Sequence, residues 1–108
     1  MTDIKADAVI RLISEYRKER QITSKKIEVL LRVPGTFVRE IVREARRNGL
    51  PIGSSSKGYY LIEKESELEE TVRHLKSRAM SELRTYNIMK RFKFEEFPLQ
   101  LQLFGEAV

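Results

Sequence analysis

The first half of the chain repeats apolar residues at the spacing of amphipathic helices. The first predicted helix covers residues 4–16, and Asp3 is its predicted N-cap. A second, short helix begins at Thr23 or Ser24 and ends at Pro34-Gly35, because proline lacks a backbone donor and glycine permits a left-handed turn. The residues that this short helix is predicted to bury are Ile27, Leu30 and Leu31.

The third predicted helix, residues 36–48, has two sides of opposite character. Thr36 is its predicted N-cap, and Asn48-Gly49 is its predicted C-cap. One side carries the apolar residues Phe37, Val38, Ile41, Val42 and Ala45. The other side carries Arg39, Arg43, Arg46 and Arg47. This segment is therefore expected to turn its aliphatic side chains inward and its guanidinium groups outward.

A β-hairpin is predicted next. Leu50–Ile52 and Tyr59–Ile62 are short apolar segments typical of strands. The connection "GSSSKG", residues 53–58, is small and polar, and a glycine at each end suits a hairpin turn. Pro98 later in the chain marks the end of helical structure.

Between the hairpin and this proline lies the longest periodic segment, residues 66–93. Ser66 followed by Glu69 predicts a capping box at its start. Apolar or small residues recur at close to a heptad spacing, at Leu68, Val72, Leu75, Ala79, Leu83, Tyr86 and Met89, and Glu82 interrupts them. A helix of about 25 residues would be ~37 Å long, more than a small domain covers. We therefore expect that its far half either meets another copy of the chain, as a homodimer through residues 68–89, or stands in solvent.

Composition and charge narrow the function. The 108 residues suit one domain with an appendage, and the absence of cysteine excludes disulfides and thiolate metal sites. Residues 1–62 hold 13 Lys/Arg and 7 Asp/Glu, a net charge of +6, whereas residues 63–108 hold 8 and 9, a net charge of −1. The excess positive charge of residues 1–62 therefore predicts that this part of the chain binds a polyanion, whereas the charge of residues 63–108 does not.

The turn Val33-Pro34-Gly35, the helix 36–48 and the hairpin together resemble a winged helix-turn-helix domain. The resemblance covers roughly residues 3–76 and implies a mainly α fold with a small β-hairpin, plus a long C-terminal helix. We divide the chain into a winged helix-turn-helix DNA-binding domain at 1–65, a long helix at 66–93 and an extended tail at 94–108.

In that family the helix after the turn enters the major groove, and the wing rests on the DNA backbone or in the minor groove. Arginine suits both places, because it can form paired hydrogen bonds with guanine edges or with phosphate. The residues assigned to DNA binding are Lys25, Lys26, Thr36, Arg39, Glu40, Arg43, Arg46, Arg47, Ser55, Ser56 and Lys57. An alternative is that Arg39 and Arg43 pair with Glu40 and Glu44 along a solvated face.

The tail contains "QLQLF", residues 100–104, which resembles the short peptide that bacterial replication and repair proteins use to bind the β sliding clamp. The resemblance implies that Leu103 and Phe104 fill an apolar pocket on the clamp, Leu101 takes a neighbouring subsite and Gln100 forms a hydrogen bond at the rim. An alternative remains open, because leucines alternating with glutamines also suit a strand that packs on the protein itself.

These features predict a non-enzymatic adaptor that binds duplex DNA and engages the bacterial clamp. Its general resemblance to short phage-encoded winged-helix proteins implies that a phage or another mobile element encodes it. Three rivals stay open: a dimeric winged-helix transcription regulator with a structural tail, a protein-interaction module and, least favoured, an enzyme. We expect no catalytic residues, no metal and no cofactor, since His74 is the only histidine and no activated nucleophile is evident. The N-terminal segment lacks the pattern of a signal peptide, which predicts a cytoplasmic location in a bacterial cell or a phage-infected host.

Overall fold

A computed structural model describes residues 3–96 of the chain. The fold is mainly α-helical with one antiparallel hairpin, as predicted. The elements are α1 (Ile4–Ser14), α2 (Ser24–Leu31), α3 (Gly35–Arg47), β1 (Ile52–Ser55), β2 (Gly58–Leu61), α4 (Glu65–Lys90) and a short 3-10 helix (Phe94–Glu96). Two compact units divide the chain, Met1–His74 and Leu75–Val108. No helix in the described part of the chain is both long enough and apolar enough to cross a membrane.

The core of the first unit is built from one side of each of the first three helices and from the hairpin. Its buried residues are Val9, Ile13, Ile22, Ile27, Val33, Val38, Val42, Ala45 and Ile52. The predicted caps of the first two helices are confirmed, because Asp3 accepts a hydrogen bond from the backbone of Lys5 and Thr23 accepts one from Lys26. Burial of each aliphatic side chain contributes about 1.5–3 kcal/mol.

The turn between α2 and α3 differs from the prediction. Arg32, not glycine, takes the left-handed conformation, with φ of 54°, and Gly35 is already the first residue of α3. Pro34 is the N-cap, and its carbonyl accepts hydrogen bonds from Phe37 and Val38, so the prediction of Thr36 as cap is wrong. Proline suits this place because its fixed φ matches the extended conformation that precedes a helix.

The short helix α2 buries less than its pattern indicated. Ile27 is fully buried and Leu31 is half-buried, but Leu30 is 55% exposed. Leu30 instead lines an open groove between α1 and α2, together with Ile4, Ala8 and Leu12.

The hairpin is longer and its turn tighter than predicted. Ile52 pairs with Leu61 and Ser55 pairs with Gly58, so the turn consists of Ser56 and Lys57 alone. We call these two residues the hairpin tip. The residues 53–55 that were predicted as loop belong to β1, because Gly53 leaves room for the ring of Tyr60 on the opposite strand: a β-carbon there would lie 2.4 Å from that ring.

A third backbone segment holds the hairpin onto the helices. Ile22, just before α2, forms an antiparallel bridge with Tyr59, and the two residues exchange backbone hydrogen bonds of 3.0 and 2.7 Å. Leu61 also donates to the carbonyl of Tyr16 at the end of α1. The hairpin is therefore fixed relative to α1 and α2 by the backbone itself.

The start of α4 also corrects the sequence analysis. The helix begins at Glu65, so Ser66 lies inside its first turn and does not cap it. Lys64 immediately precedes the helix, and its carbonyl oxygen accepts hydrogen bonds from the backbone of Glu67 and Leu68. The carboxylate of Glu67 in turn accepts a hydrogen bond of 3.0 Å from the backbone of Glu63, just before the helix. Glu67 and Thr71 are buried polar residues on this helix.

An exposed ion pair joins the loop after α1 to α4. Lys18 donates to the carboxylate of Glu70 over 2.7 Å, and this hydrogen bond raises the pKa of Lys18 and lowers the pKa of Glu70. The contribution of the pair to stability therefore fades as the pH falls through the pKa of Glu70, and again as it rises through the pKa of Lys18. Solvent screens both groups, so this contribution is small.

Substitution of Gly58 tests the anchoring of the hairpin. The residue has φ of +133°, and a β-carbon there would lie 2.3 Å from the carbonyl oxygen of Ile22. We expect Gly58→Ala to lower the free energy of unfolding by about 2–4 kcal/mol in urea denaturation, through backbone strain and collision with Ile22.

The matched control is Gly49→Ala. Gly49 also has a positive φ, +93°, but a β-carbon there would have no neighbour within 4 Å. This variant carries the conformational strain alone, and we expect a loss of about 1 kcal/mol. Equal losses for the two variants would contradict the close contact between Gly58 and Ile22.

Candidate nucleic-acid interface

The helix α3 presents cations on the side that faces away from the core. Val38, Val42 and Ala45 are buried, while Arg39, Arg43 and Arg47 are exposed. We call these three exposed arginines the arginine row. At about 100° per residue they share one side of the helix, but Arg46, which the sequence analysis also placed on this side, does not belong to the exposed set. Thr36 and Glu40 are exposed near the start of the same helix.

Arg46 differs from the other arginines of α3 because it is half-buried and bound to the hairpin. Its Nε donates to the carbonyl oxygen of Ile52 over 2.9 Å, and its terminal nitrogen donates to the hydroxyl of Ser54 over 3.1 Å. Its place on the helix explains this, since it lies between the arginine row and the buried side. The structure thus gives Arg46 the role of joining the end of α3 to β1.

The hairpin tip is a second exposed basic feature. Ser55, Ser56 and Lys57 are all exposed, as a wing that approaches a phosphate would require. The hydroxyl of Ser55 accepts a hydrogen bond from the backbone of Lys57 and donates one of 2.7 Å to Gln21. Sequence analysis did not single out Gln21, and no local pattern marks it, because its partner is 34 residues away.

Lys25 and Lys26 lie exposed in the first turn of α2. Within residues 3–96 their side chains form no ion pair, and the same is true of Arg39, Arg47 and Lys57. No hydrogen bond or ion pair in this part of the chain links the two lysines to the arginine row. They are a separate pair of cations, exposed next to backbone amide groups that favour an anion.

Two exposed acidic residues, Glu40 and Glu44, lie on the same helix as the arginine row. Arg43 contacts Glu40 over 3.5 Å, and both side chains are more than half exposed. This contact supports part of the alternative in which acids pair with the row, but an exposed pair of this kind contributes only about 0.2–1 kcal/mol. A phosphate group could therefore displace Glu40 from Arg43 at little cost.

The peptide that resembles clamp-binding motifs, with Gln100, Leu101, Leu103 and Phe104, lies outside the described residues 3–96. Within that range no group of three or more His, Asp or Glu side chains is placed to hold a metal ion.

The order of three helices, a hairpin and a long helix is consistent with a winged-helix-like arrangement. Comparison with protein-family models, with curated proteins and with solved structures gave no match to this chain.

The contacts of Arg46 generate a stability prediction. Arg46→Met keeps an unbranched apolar stem but leaves the carbonyl of Ile52 and the hydroxyl of Ser54 without their donor. We expect a loss of about 1–3 kcal/mol in the free energy of unfolding, measured in urea. The control Arg39→Met, at an exposed residue, should change it by less than about 0.5 kcal/mol. Equal effects would contradict the structural role of Arg46.

Proposed function

We propose that this protein is a non-enzymatic duplex-DNA-binding protein that inserts α3 into the major groove. The observation that carries the proposal is the arginine row, exposed along one side of a helix whose other side is the core. A helix held in this way can enter a groove about 12 Å wide without exposing apolar surface. The net charge of +6 over residues 1–62 favours a polyanion over a protein partner.

Each part of the basic surface suits a particular contact. Thr36, Arg39 and Glu40 lie at the start of α3, where recognition helices usually contact base edges. Arg43 and Arg47 lie further along and suit phosphates. Arg46 contributes to DNA binding indirectly, because its hydrogen bonds to Ile52 and Ser54 hold the hairpin in position relative to α3.

The remaining cations lie outside α3. Lys57 and the hydroxyls of Ser55 and Ser56 suit the DNA backbone, since small side chains at the hairpin tip let the chain approach closely. Lys25 and Lys26 at the start of α2 add a further place for a phosphate, where the backbone amides of a helix N-terminus already favour an anion.

Removal of two members of the arginine row tests DNA binding. We expect Arg39→Ala with Arg43→Ala to weaken binding to a mixed-sequence duplex at least tenfold, since each arginine contact contributes about 1–3 kcal/mol. The slope of log affinity against log salt should fall by about 1, because Arg43 is the member of the pair assigned to a phosphate and about one fewer counterion is released. Fluorescence anisotropy over a salt series measures both quantities.

The control for this pair is Arg73→Ala with Arg84→Ala, which removes the same charge from exposed positions on α4. The control should retain most of the affinity and the steep salt dependence. If both pairs weaken binding equally, only the net charge matters and α3 is not the recognition helix. If the parent protein binds DNA with little salt dependence, the protein-interaction alternative is favoured.

We further infer that the tail makes the protein an adaptor for the bacterial β sliding clamp. This part of the proposal rests on the sequence "QLQLF" alone, with Leu103 and Phe104 as apolar anchors. Coupling a DNA-binding module to a clamp peptide raises the effective concentration of each partner near the other. A phage or mobile element would gain from this a means of bringing a host replication component to a chosen DNA site.

Leu103→Ala with Phe104→Ala should abolish binding to purified clamp in surface plasmon resonance, because both anchors are lost. The control is Gln102→Ser, which changes a variable position of the motif toward its commoner residue and should retain binding. Thermal melting of the double variant should match the parent. If the parent does not bind clamp and the double variant melts at a lower temperature, the tail is structural.

A dimeric transcription regulator is the second candidate, and one observation favours it. The apolar residues of α4 are exposed along the whole helix in the single chain, at Leu68, Val72, Leu75, Leu83, Tyr86 and Met89. A regulator of this type would protect a palindromic site upstream of its own gene in a footprinting experiment. A clamp adaptor needs no such site.

A further inference from the structure

The exposed apolar side of α4 follows a strict heptad pattern, in which Glu82 is the one polar residue. With Leu68 at position d, the d positions are Leu68, Leu75, Glu82 and Met89, and the a positions are Val72, Ala79 and Tyr86. We call these seven residues the α4 seam. The apolar members at the two ends of the seam are exposed, with Leu68 at 44% and Met89 at 66%. A soluble helix rarely leaves so long an apolar seam uncovered.

The identity of the residues in the seam decides how two copies could pair. In a parallel, in-register pair each residue meets its own equivalent, so Glu82 of both copies would share one layer of the interface. Two carboxylates would then be brought together and partly removed from water, which is unfavourable for both reasons. Ala79 would meet Ala79 of the other copy one layer away and leave a poorly filled interface.

An antiparallel pair avoids both defects. When a positions of one copy face d positions of the other, Ala79 faces Glu82, Leu75 faces Tyr86 and Val72 faces Met89. Each of these layers occurs twice because the pair is two-fold symmetric. The small side chain of Ala79 leaves room for the methylene groups of Glu82, whose carboxylate can reach solvent at the edge. Each layer pairs a smaller side chain of one copy with a larger side chain of the other, as interdigitating packing requires.

The charges that flank the seam also favour this orientation. In the antiparallel register Glu69 lies beside Lys90 of the other copy, and the symmetry repeats this attraction at both ends. Lys76 lies beside Leu83, which its apolar stem can cover. In the parallel register the flanking pairs within α4 are Thr71 with Lys76, Arg78 with Leu83, and Thr85 with Lys90, and none of these is a pair of opposite charges. The one opposite pair in that register, Lys64 with Glu69, involves a residue that precedes α4.

We propose that two copies of this protein associate through the α4 seam as an antiparallel helix pair. The N-terminal ends of the two α4 helices then lie at opposite ends of the pair, rather than side by side. This pairing goes beyond the proposed DNA and clamp binding and requires neither of them. Its test is therefore made on the full chain without DNA or clamp.

Disulfide cross-linking distinguishes the two orientations. Because the chain has no native cysteine, any disulfide must join the introduced cysteines. A disulfide needs β-carbons about 3.8 Å apart, so only facing positions react. We expect a mixture of Val72→Cys chains and size-tagged Met89→Cys chains to form the mixed disulfide dimer under mild oxidation. Each variant alone should stay uncross-linked. The control pair, Arg73→Cys with Asn87→Cys, lies on α4 outside the seam and should not react.

The mass in solution supplies the second measurement. Sedimentation equilibrium at high micromolar concentration should give the parent twice its chain mass of 12.7 kDa, and Leu75→Lys should give a single-chain mass. Leu75 is already 40% exposed and lies outside the buried core, so the variant should keep the parent circular dichroism spectrum. A single-chain mass for the parent would overturn the proposal. So would self-cross-linking of Val72→Cys and Met89→Cys, or a dimer without the mixed disulfide.

Discussion

Burial of one side of α3 is the constraint on which the other features of the first unit depend. Val38, Val42 and Ala45 join the residues of α1 and α2 in a single core, and their burial fixes the rotation of α3 about its axis. Once that rotation is fixed, the arginine row must face solvent, because residues 39, 43 and 47 lie on the other side of the helix. The same interaction that stabilises the fold therefore also exposes the cations.

Arg46 lies at the boundary between the two sides of α3 and, unlike the exposed arginines, contacts the hairpin. Its guanidinium group reaches a backbone carbonyl and a hydroxyl on β1, while its exposed neighbours carry no such structural bonds. Together with the bridge between Ile22 and Tyr59, this ties the hairpin to the helices from two directions. A wing held in this way has little freedom to move, so the hairpin tip and α3 would meet a ligand as one preformed surface.

Sequence patterns predicted the helices and the faces of α3 because those depend on residues three or four positions apart. The failures come from contacts that are remote in sequence or from competing caps. Nothing local shows that Arg46 would bind Ile52, or that Gln21 would reach Ser55 across 34 residues. Thr36 is a good N-cap by type, but Pro34 precedes it and already provides the extended conformation that starts the helix.

The contrast between α3 and α4 shows how the same periodicity leads to different outcomes. In α3 the apolar side packs into the chain's own core, and the polar side, with the arginine row, is exposed to solvent. In α4 the seam residues Leu75, Tyr86 and Met89 stay exposed in the single chain, although their spacing is as regular. The sequence of α4 indicates that its apolar side packs against another surface. Which surface that is depends on which residues can face one another across the contact. For α4, the opposition of Glu82 to itself disfavours the parallel arrangement, and the fit of Glu82 against Ala79 favours the antiparallel one.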